Sequence, residues 1–260
     1  MLITKFGSTY AGALAFDLYQ SVDGLGTARP AVVAEVDGSA GSFDFWGDEN
    51  FPIASQSITK SYTLLGSSYA DVDVDLDALK ADTLCIGRNK LWALMRDSSK
   101  RWSWAKCTSL AYSEAYNDRT RALKVDLAFM LESGAWYAES ETNLDEGGAS
   151  FNITNSGNAP AGYRLDFYAY SAPPGTYTIA VANTTNGTGF TFVGSIAASK
   201  HLIIDTGAFT CLNDGANAYA NLTPVKPTNW LTLEPGVNAM TLSFNGLATD
   251  IDHYWYNTWL

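Results

Sequence analysis

Apolar and polar residues alternate with a period of two along most of this chain, in short runs bounded by Gly, Pro, Asn, Asp and Ser. Successive side chains of a strand point to opposite sides, so the pattern predicts β-strands with one buried face. Its sharpest instance runs from Asn229 to Gly246. Leu231 and Leu233 share one face before Pro235-Gly236, and Met240, Leu242 and Phe244 share one face after it. The reading is a β-hairpin-like unit in which Pro235 fixes φ, Gly236 takes a positive φ and Asn238 closes the turn with its side-chain amide. None of these groups is chemically reactive, which marks the unit as architecture.

Taken in order, residues 14–18 and 31–36 read as strands joined by hairpin connections. Residues 38–51 form a Gly-, Ser- and Asp-rich loop that carries Phe43, Phe45, Trp46 and Phe51. Such a loop either folds back on its own domain or awaits a partner. A strand is expected at 58–65. The run from Asp71 to Asp77 alternates Asp with Val and Leu, and reads as an edge strand leading into a helix over 76–84 capped by Asp75. Strands follow at 90–96, 102–110 and 121–131. Glu139, Glu141, Asp145 and Glu146 with Gly147-Gly148 then predict a linker over 139–148, separating a domain of residues 1–138 from one of residues 149–260. In the second domain, strands are expected at 150–155, 164–170, 176–182, 190–193, 201–205, 209–212, 217–222, 231–244 and 250–260. Short strands at this even spacing predict a β-sandwich, so the fold class is mainly β with one helix in the first half.

A length of 260 residues suits one large domain or two, and 47% hydrophobic content is enough for real cores. Cys85, Cys107 and Cys211 are odd in number and contain no Cys-x-x-Cys pair, so they read as reduced, buried small residues. The N-terminus lacks a charged leader with an apolar segment behind it, and no apolar run approaches a membrane span, so neither export nor membrane insertion is expected. Without export, the glycosylation-type triplets at Asn152, Asn183, Asn186 and Asn221 carry little weight. The net charge of −11 argues against ordinary nucleic-acid binding. Its distribution is uneven: residues 1–79 hold three basic and eleven acidic side chains, whereas residues 80–124 hold ten basic and four acidic. Two such stretches either fold into mixed faces or set an acidic face of one copy against a basic face of the next, as head-to-tail rings require.

Candidate chemistry is thin. Asp71, Asp73, Asp75, Asp77 and Asp82 fall at positions 1, 3, 5, 7 and 12 of a would-be calcium loop, but Leu76 stands where the sharp turn needs Gly. Leu202-Ile-Ile-Asp205-Thr206-Gly207 has the form of an aspartic-protease loop, yet that chemistry needs two such aspartates and no second Asp-Thr-Gly or Asp-Ser-Gly exists. The other reading is a strand ending in a turn whose backbone amides Asp205 and Thr206 bind. His201 and His253 lie far apart without zinc spacing, and Gly-x-Ser-x-Gly and phosphate-cradling Gly loops are absent. Trp92, Trp102 and Trp104 interleave with Arg96, Arg101 and Lys106, a pattern seen in single-strand nucleic-acid platforms but also in any half-buried meander. No catalytic, cofactor-binding or metal-binding residue is assigned, and no cofactor is expected.

The order of four motifs is more informative than any one of them. Leu202-Ile-Ile-Asp-Thr-Gly is followed by Leu212-Asn-Asp-Gly, by Trp230-Leu-Thr-Leu-Glu-Pro-Gly-Val-Asn238 and by Tyr254-Trp-Tyr-Asn-Thr-Trp-Leu260. With these, and with the helix and following strands of the first half, the chain resembles the distal tail (Dit) proteins of siphophages. The resemblance implies an N-terminal ring-forming domain and a C-terminal galectin-like β-sandwich, in a non-enzymatic structural protein of the virion tail tip assembled in the host bacterial cytoplasm. It implies six copies closed into a ring, stacked between the tail-tube protein and the tail hub or tail-associated lysin protein, with DNA passing transiently through the lumen. Tape-measure and receptor-binding proteins are further candidate partners. The alternative is a carbohydrate-binding module for host-surface glycans. Galectin sugar-binding signatures are missing around His201 and Trp230, while Tyr168, Tyr170 and Trp255 remain candidates for a stacking platform or for core.

Overall fold

A computed structural model describes residues 2–6, 9–10, 17–18, 33–35, 42–44, 57–65, 68–84, 87–114, 122–131, 134–145, 148–171, 176–226, 230–245 and 247–260. Most of the residues expected as strands at 14–18 and 31–36, the aromatic loop residues Phe45, Trp46 and Phe51, and Cys85 lie outside that set. The chain is mainly β with one α-helix among the described residues. It divides into two compact units, residues 1–139 with Leu260, and residues 140–259.

The first unit contains β1 (Leu2–Phe6), β2 (Thr9–Tyr10), β3 (Asp17–Leu18), β4 (Val33–Glu35), β5 (Ser42–Asp44), β6 (Ser57–Leu65), α1 (Tyr69–Leu84), β7 (Arg88–Leu94), β8 (Lys100–Glu114), β9 (Ala122–Leu131) and β10 (Trp136–Ala138). An antiparallel sheet runs in the order β2-β1-β7-β8-β9-β6-β3, with β10 also paired to β8, while β4 and β5 pair separately. Residues directly opposed in this register share a face. On one face lie Tyr62 of β6, Leu91 of β7, Ala105 and Cys107 of β8, and Val125, Leu127 and Phe129 of β9, all buried. Helix α1 covers β8 and β6 on this side.

The stretch from Asp71 to Asp77 is not an edge strand, and Asp75 is not a cap. It forms the first turns of α1, which begins after Ser68, whose hydroxyl accepts a bond from the Asp71 N–H at 3.3 Å. The physical reason is a stripe hidden beneath the alternation. Val72, Leu76, Leu79 and Thr83 recur at helical spacing and are all buried, whereas Val74 is 67% exposed. Burial against the sheet rewards the 3.6-residue period over the two-residue one.

The second unit contains β11 (Thr142–Asp145), β12 (Ser150–Asn155), β13 (Ala161–Ser171), β14 (Tyr177–Asn183), β15 (Thr188–Gly194), β16 (Lys200–Asp205), β17 (Thr210–Asn213), β18 (Ala216–Asn217), β19 (Leu222–Pro224), β20 (Thr232–Leu233), β21 (Gly236–Phe244), β22 (Leu247–Trp255) and β23 (Thr258–Trp259). Two sheets face each other, one in the order β11-β22-β13-β16-β17-β18, the other β12-β21-β14-β15-β19. Between them Tyr163, Leu165 and Phe167 of β13 and Leu202 and Ile204 of β16 meet Tyr177 and Ile179 of β14, Phe190 and Phe192 of β15 and Met240 of β21. This is the expected sandwich, built from the alternating residues of each strand.

Three local expectations change. The 139–148 stretch is not a plain linker, because β11 pairs along its length with β22 as an edge strand. Within and beside this strand, Asp145 is exposed while Glu141 pairs with Arg164 at 2.6 Å, and Glu146 lies outside the described residues. Residues 217–222 are not one strand but the end of β18, a 3-10 turn over Tyr219–Asn221 and the start of β19. Most consequential, 231–244 is not a hairpin. β20 pairs with β13 in one sheet while β21 pairs with β12 and β14 in the other, so the Pro235-Gly236 turn carries the chain across the sandwich. Gly236 does take the expected positive φ, +92°.

Candidate functional site

The Asp205-Thr206-Gly207 loop follows β16 and is occupied by structural bonds. The Asp205 carboxylate accepts the Ala208 N–H at 2.9 Å. The buried Thr206 hydroxyl accepts the Tyr163 N–H at 3.0 Å and lies 2.7 Å from the Leu231 carbonyl, to which it donates. The loop is thereby tied to β13 and to the segment preceding β20. Gly207 passes close to Gly162, its Cα 3.5 Å from the position a Gly207 side chain would occupy. In this arrangement Asp205 caps a turn, and the motif's hydroxyl and glycine serve a strand junction.

The two histidines lie on opposite faces of one sheet. His253 opposes Leu165 and is fully buried, bonded to the Tyr163 hydroxyl and stacked on Phe151 with ring centroids 4.3 Å apart. Burial raises the Tyr163 phenol well above its ordinary pKa. His201 opposes Tyr168 on the solvent side, where its Nδ1 bonds the Asp166 carboxylate at 2.7 Å. A site that joins the two rings is therefore ruled out by the sheet itself. Cys107 and Cys211 are buried free thiols, with Cys211 pushed up to about 11 by desolvation, which makes both poor nucleophiles. Of the glycosylation-type asparagines, Asn183 is fully buried and bonded to Asn238, which removes it as an acceptor.

The would-be calcium residues are spread around α1. A helix turns about 100° per residue, so Asp71 and Asp75 fall on one side of α1, Asp73 and Asp77 on nearly the opposite side, and the four do not converge on one ion. A different acidic group forms on the sandwich surface. Asp145, Asp252 and Asp166 stand in line across β11, β22 and β13, and the carboxylates of Asp145, Asp250 and Asp252 approach within 4.8 Å of one another. Like charges in direct opposition cost stability, and exposed clusters of this kind are common without a cation.

Among the described residues, two surfaces remain. On the solvent side of the sandwich sheet, Tyr168 stacks beside His201 at 4.8 Å and Tyr170 is 62% exposed. Nearby, the Arg164 guanidinium sits 4.0 Å over the Tyr254 ring while bonding Glu141 at 2.6 Å. Trp255, grouped with these tyrosines on sequence grounds, is instead a core residue whose indole N–H bonds the Thr154 carbonyl at 3.2 Å.

The second surface is the face of the first unit's sheet opposite α1. Register places Trp92, Trp102 and Tyr137 in one row, Lys90 and Trp104 in the next, and Arg88, Lys106 and Met130 in a third. Lys90 Nζ lies 3.9 Å over the Trp102 ring and the Arg88 guanidinium 4.3 Å over Trp104, so cations cap indole faces. Of the cations read in sequence with these tryptophans, Lys106 shares the face. Arg101 points to the other side and pairs with Asp97 at 2.8 Å, and Arg96 lies beyond the end of β7. Bonds from Ser99, aided by Arg101, hold the Asp97 carboxyl below its usual range. Sequence reasoning missed Arg88 and Lys90 as members of this cluster, because only the β7–β8 register brings them over the rings.

No protein-family model and no curated protein matches this sequence. Solved structures do match over the whole length. The chain shares its fold with the Dit protein (gp 19.1) of phage SPP1, described as a paradigm of the hub adsorption apparatus of phages infecting Gram-positive bacteria; the TM-score is 0.70 at 12% identity, over 100% of both chains. It is also similar to a chain of the phage p2 baseplate in its activated conformation with Ca, at TM-score 0.55 and 11% identity over 96% of this chain and 92% of that one. A p2 baseplate chain with Sr gives TM-score 0.51 at 10% identity, over 87% and 85%.

Proposed function

We propose that this protein is a structural, non-enzymatic component of a phage tail tip or baseplate. Six copies close into a ring between the tail tube and the hub and host-recognition apparatus, leaving a lumen for DNA. The observation that carries this reading is the end-to-end likeness to the SPP1 Dit protein, which spans both units with no part of either chain left over. The Asp205 loop and His253 support it from the other direction, since their reactive groups are engaged in holding strands together. The first unit forms the ring and the second, a galectin-like sandwich, faces outward. The expected partners are other copies of the chain, the tail-tube protein, and the hub or tail-associated lysin protein, in a virion assembled in the bacterial cytoplasm. Native mass spectrometry and electron microscopy of purified protein test this: a six-fold ring is expected, and a strict monomer at high concentration that binds neither tube nor hub protein would refute it.

A second reading has one specific observation in its favour. The solvent face of the sandwich sheet presents Tyr168, Tyr170 and Tyr254 beside Asp166, His201 and Arg164, the aromatic and polar mixture that saccharides stack and bond upon. A glycan array with the wild type and a Tyr168→Ala/Tyr170→Ala variant separates the readings. Specific binding lost in the variant supports a host-glycan module, and no binding by either leaves the scaffold alone.

A further inference from the structure

Among the described residues of the first unit, two exposed strips, one on α1 and one on the sheet face turned away from it, carry opposite charge. The outward side of α1 presents Asp73 and Asp77 one turn apart, with Val74 beside them at 67% exposure. On the far side of the sheet, Arg88 and Lys106 stand directly opposed and exposed, with Met130 continuing the row at 42% exposure. An acidic strip around an apolar residue thus lies on one side, and a basic strip around an apolar residue on the other. Neither strip pairs with itself, since like charges would meet. Each is complementary to the other in both charge and apolar content, which is the requirement of a heterologous contact.

We infer that the outward face of α1 in one copy docks on the Arg88/Lys106/Met130 face of the next copy, making this pair of faces the head-to-tail contact between subunits. The inference rests on the ring reading above and names the surfaces that make the ring. Asp77 already holds Lys80 at 3.0 Å in an exposed pair, which is worth little in water and is readily exchanged for a partner's guanidinium. The arrangement of cations over indole rings keeps Arg88 extended across Trp104, so less side-chain freedom is lost on docking.

Charge swapping tests the contact. Arg88→Glu/Lys106→Glu makes both faces acidic, and Asp73→Lys/Asp77→Lys makes both basic. All four side chains are exposed, so each variant is expected to fold, with a melting temperature lowered only by the contact of Arg88 over Trp104 or of Asp77 with Lys80 that it gives up, and melting is recorded beside assembly to separate the two effects. Each variant alone is expected to need about tenfold more protein to assemble in sedimentation velocity, and an equimolar mixture is expected to recover assembly, because acidic faces then meet basic ones. Assembly of the wild type should weaken as salt rises. If the wild type forms rings and both variants do so equally well, or if the mixture fails to recover, the inference falls while the ring reading stands. A wild type that never self-associates overturns the ring reading and takes this inference with it. Retention of a fluorescent single-stranded oligonucleotide by the wild type, lost in Arg88→Glu/Lys106→Glu with assembly unchanged, would reassign the basic face to nucleic acid.

Discussion

Asn183 donates its side-chain N–H to the side-chain oxygen of Asn238 at 2.8 Å, and both residues are fully buried. The same Asn238 oxygen accepts the Glu234 N–H at 2.8 Å, and its amide donates to the Glu234 carbonyl at 2.8 Å and the Gly236 carbonyl at 3.1 Å. One amide therefore closes the Pro235-Gly236 corner and fastens it to β14. Asn238→Ala orphans several buried groups at once. The expected loss of stability of the second unit is on the order of 3 kcal/mol, read from chemical denaturation. A loss near that of an exposed substitution would show that the corner is held by its neighbours instead.

Gly162 and Gly207 make a contrasting pair. A side chain on Gly162 would come 2.7 Å from the Gly207 Cα, a backbone atom that cannot swing away, whereas one on Gly207 meets nothing closer than 3.4 Å. Gly162→Ala is expected to cost about 2 kcal/mol through forced strand separation, and Gly207→Ala far less. In parallel, Asp205→Asn keeps an oxygen to accept the Ala208 N–H, so fold and any proteolytic background should be unchanged; loss of a measurable peptidase activity in that variant would reinstate the catalytic reading.

The second unit should lose stability in alkali. Burial raises Tyr163 well above its ordinary range and Cys211 to about 11. Both groups are neutral when protonated, and the folded state holds the proton more tightly than the unfolded chain. Their contribution is thus complete below the unfolded pKa values, about 8.5 for Cys and 10 for Tyr, and is lost as pH rises through the folded ones. Melting temperature measured from neutral pH upward should fall from about pH 9, and Tyr163→Phe should flatten the part of that fall above pH 10. An alkaline profile identical in the variant would mean that Tyr163 does not titrate on unfolding.

The sandwich was legible because a half-buried strand writes its burial directly into the sequence: Tyr163, Leu165 and Phe167 alternate with Arg164, Asp166 and Tyr168, and the structure buries the former. Asn238 was legible as a turn-closing amide for a similar local reason. What β20 and β21 pair with was not, since a strand's own residues do not say whether its partner is the neighbour in sequence or a strand of the facing sheet. The same limit hid the clustering of Arg88 and Lys90 with Trp102 and Trp104, which is a product of register. In the acidic run, by contrast, local pattern misled: Val72 and Val74 look equivalent along the chain, but only one of them is buried.

That inequality supplies the sharpest test of α1. If the run from Asp71 to Asp77 is helical, Val72 and Leu76 fill the space against the sheet while Val74 faces water at 67% exposure. Leu76→Ala should then destabilise the first unit by roughly 3 kcal/mol, within the range for a buried Leu, and Val74→Ala should change it by less than about 0.5 kcal/mol. A strand would put Val72, Val74 and Leu76 on one side and make all three costly. The helix also disperses the aspartates that a calcium loop must gather, so adding calcium should leave the first unit's melting temperature where it was, in the wild type and in Asp73→Asn alike. A calcium-dependent rise abolished by Asp73→Asn would require these carboxylates to converge, and the helix would have to be abandoned.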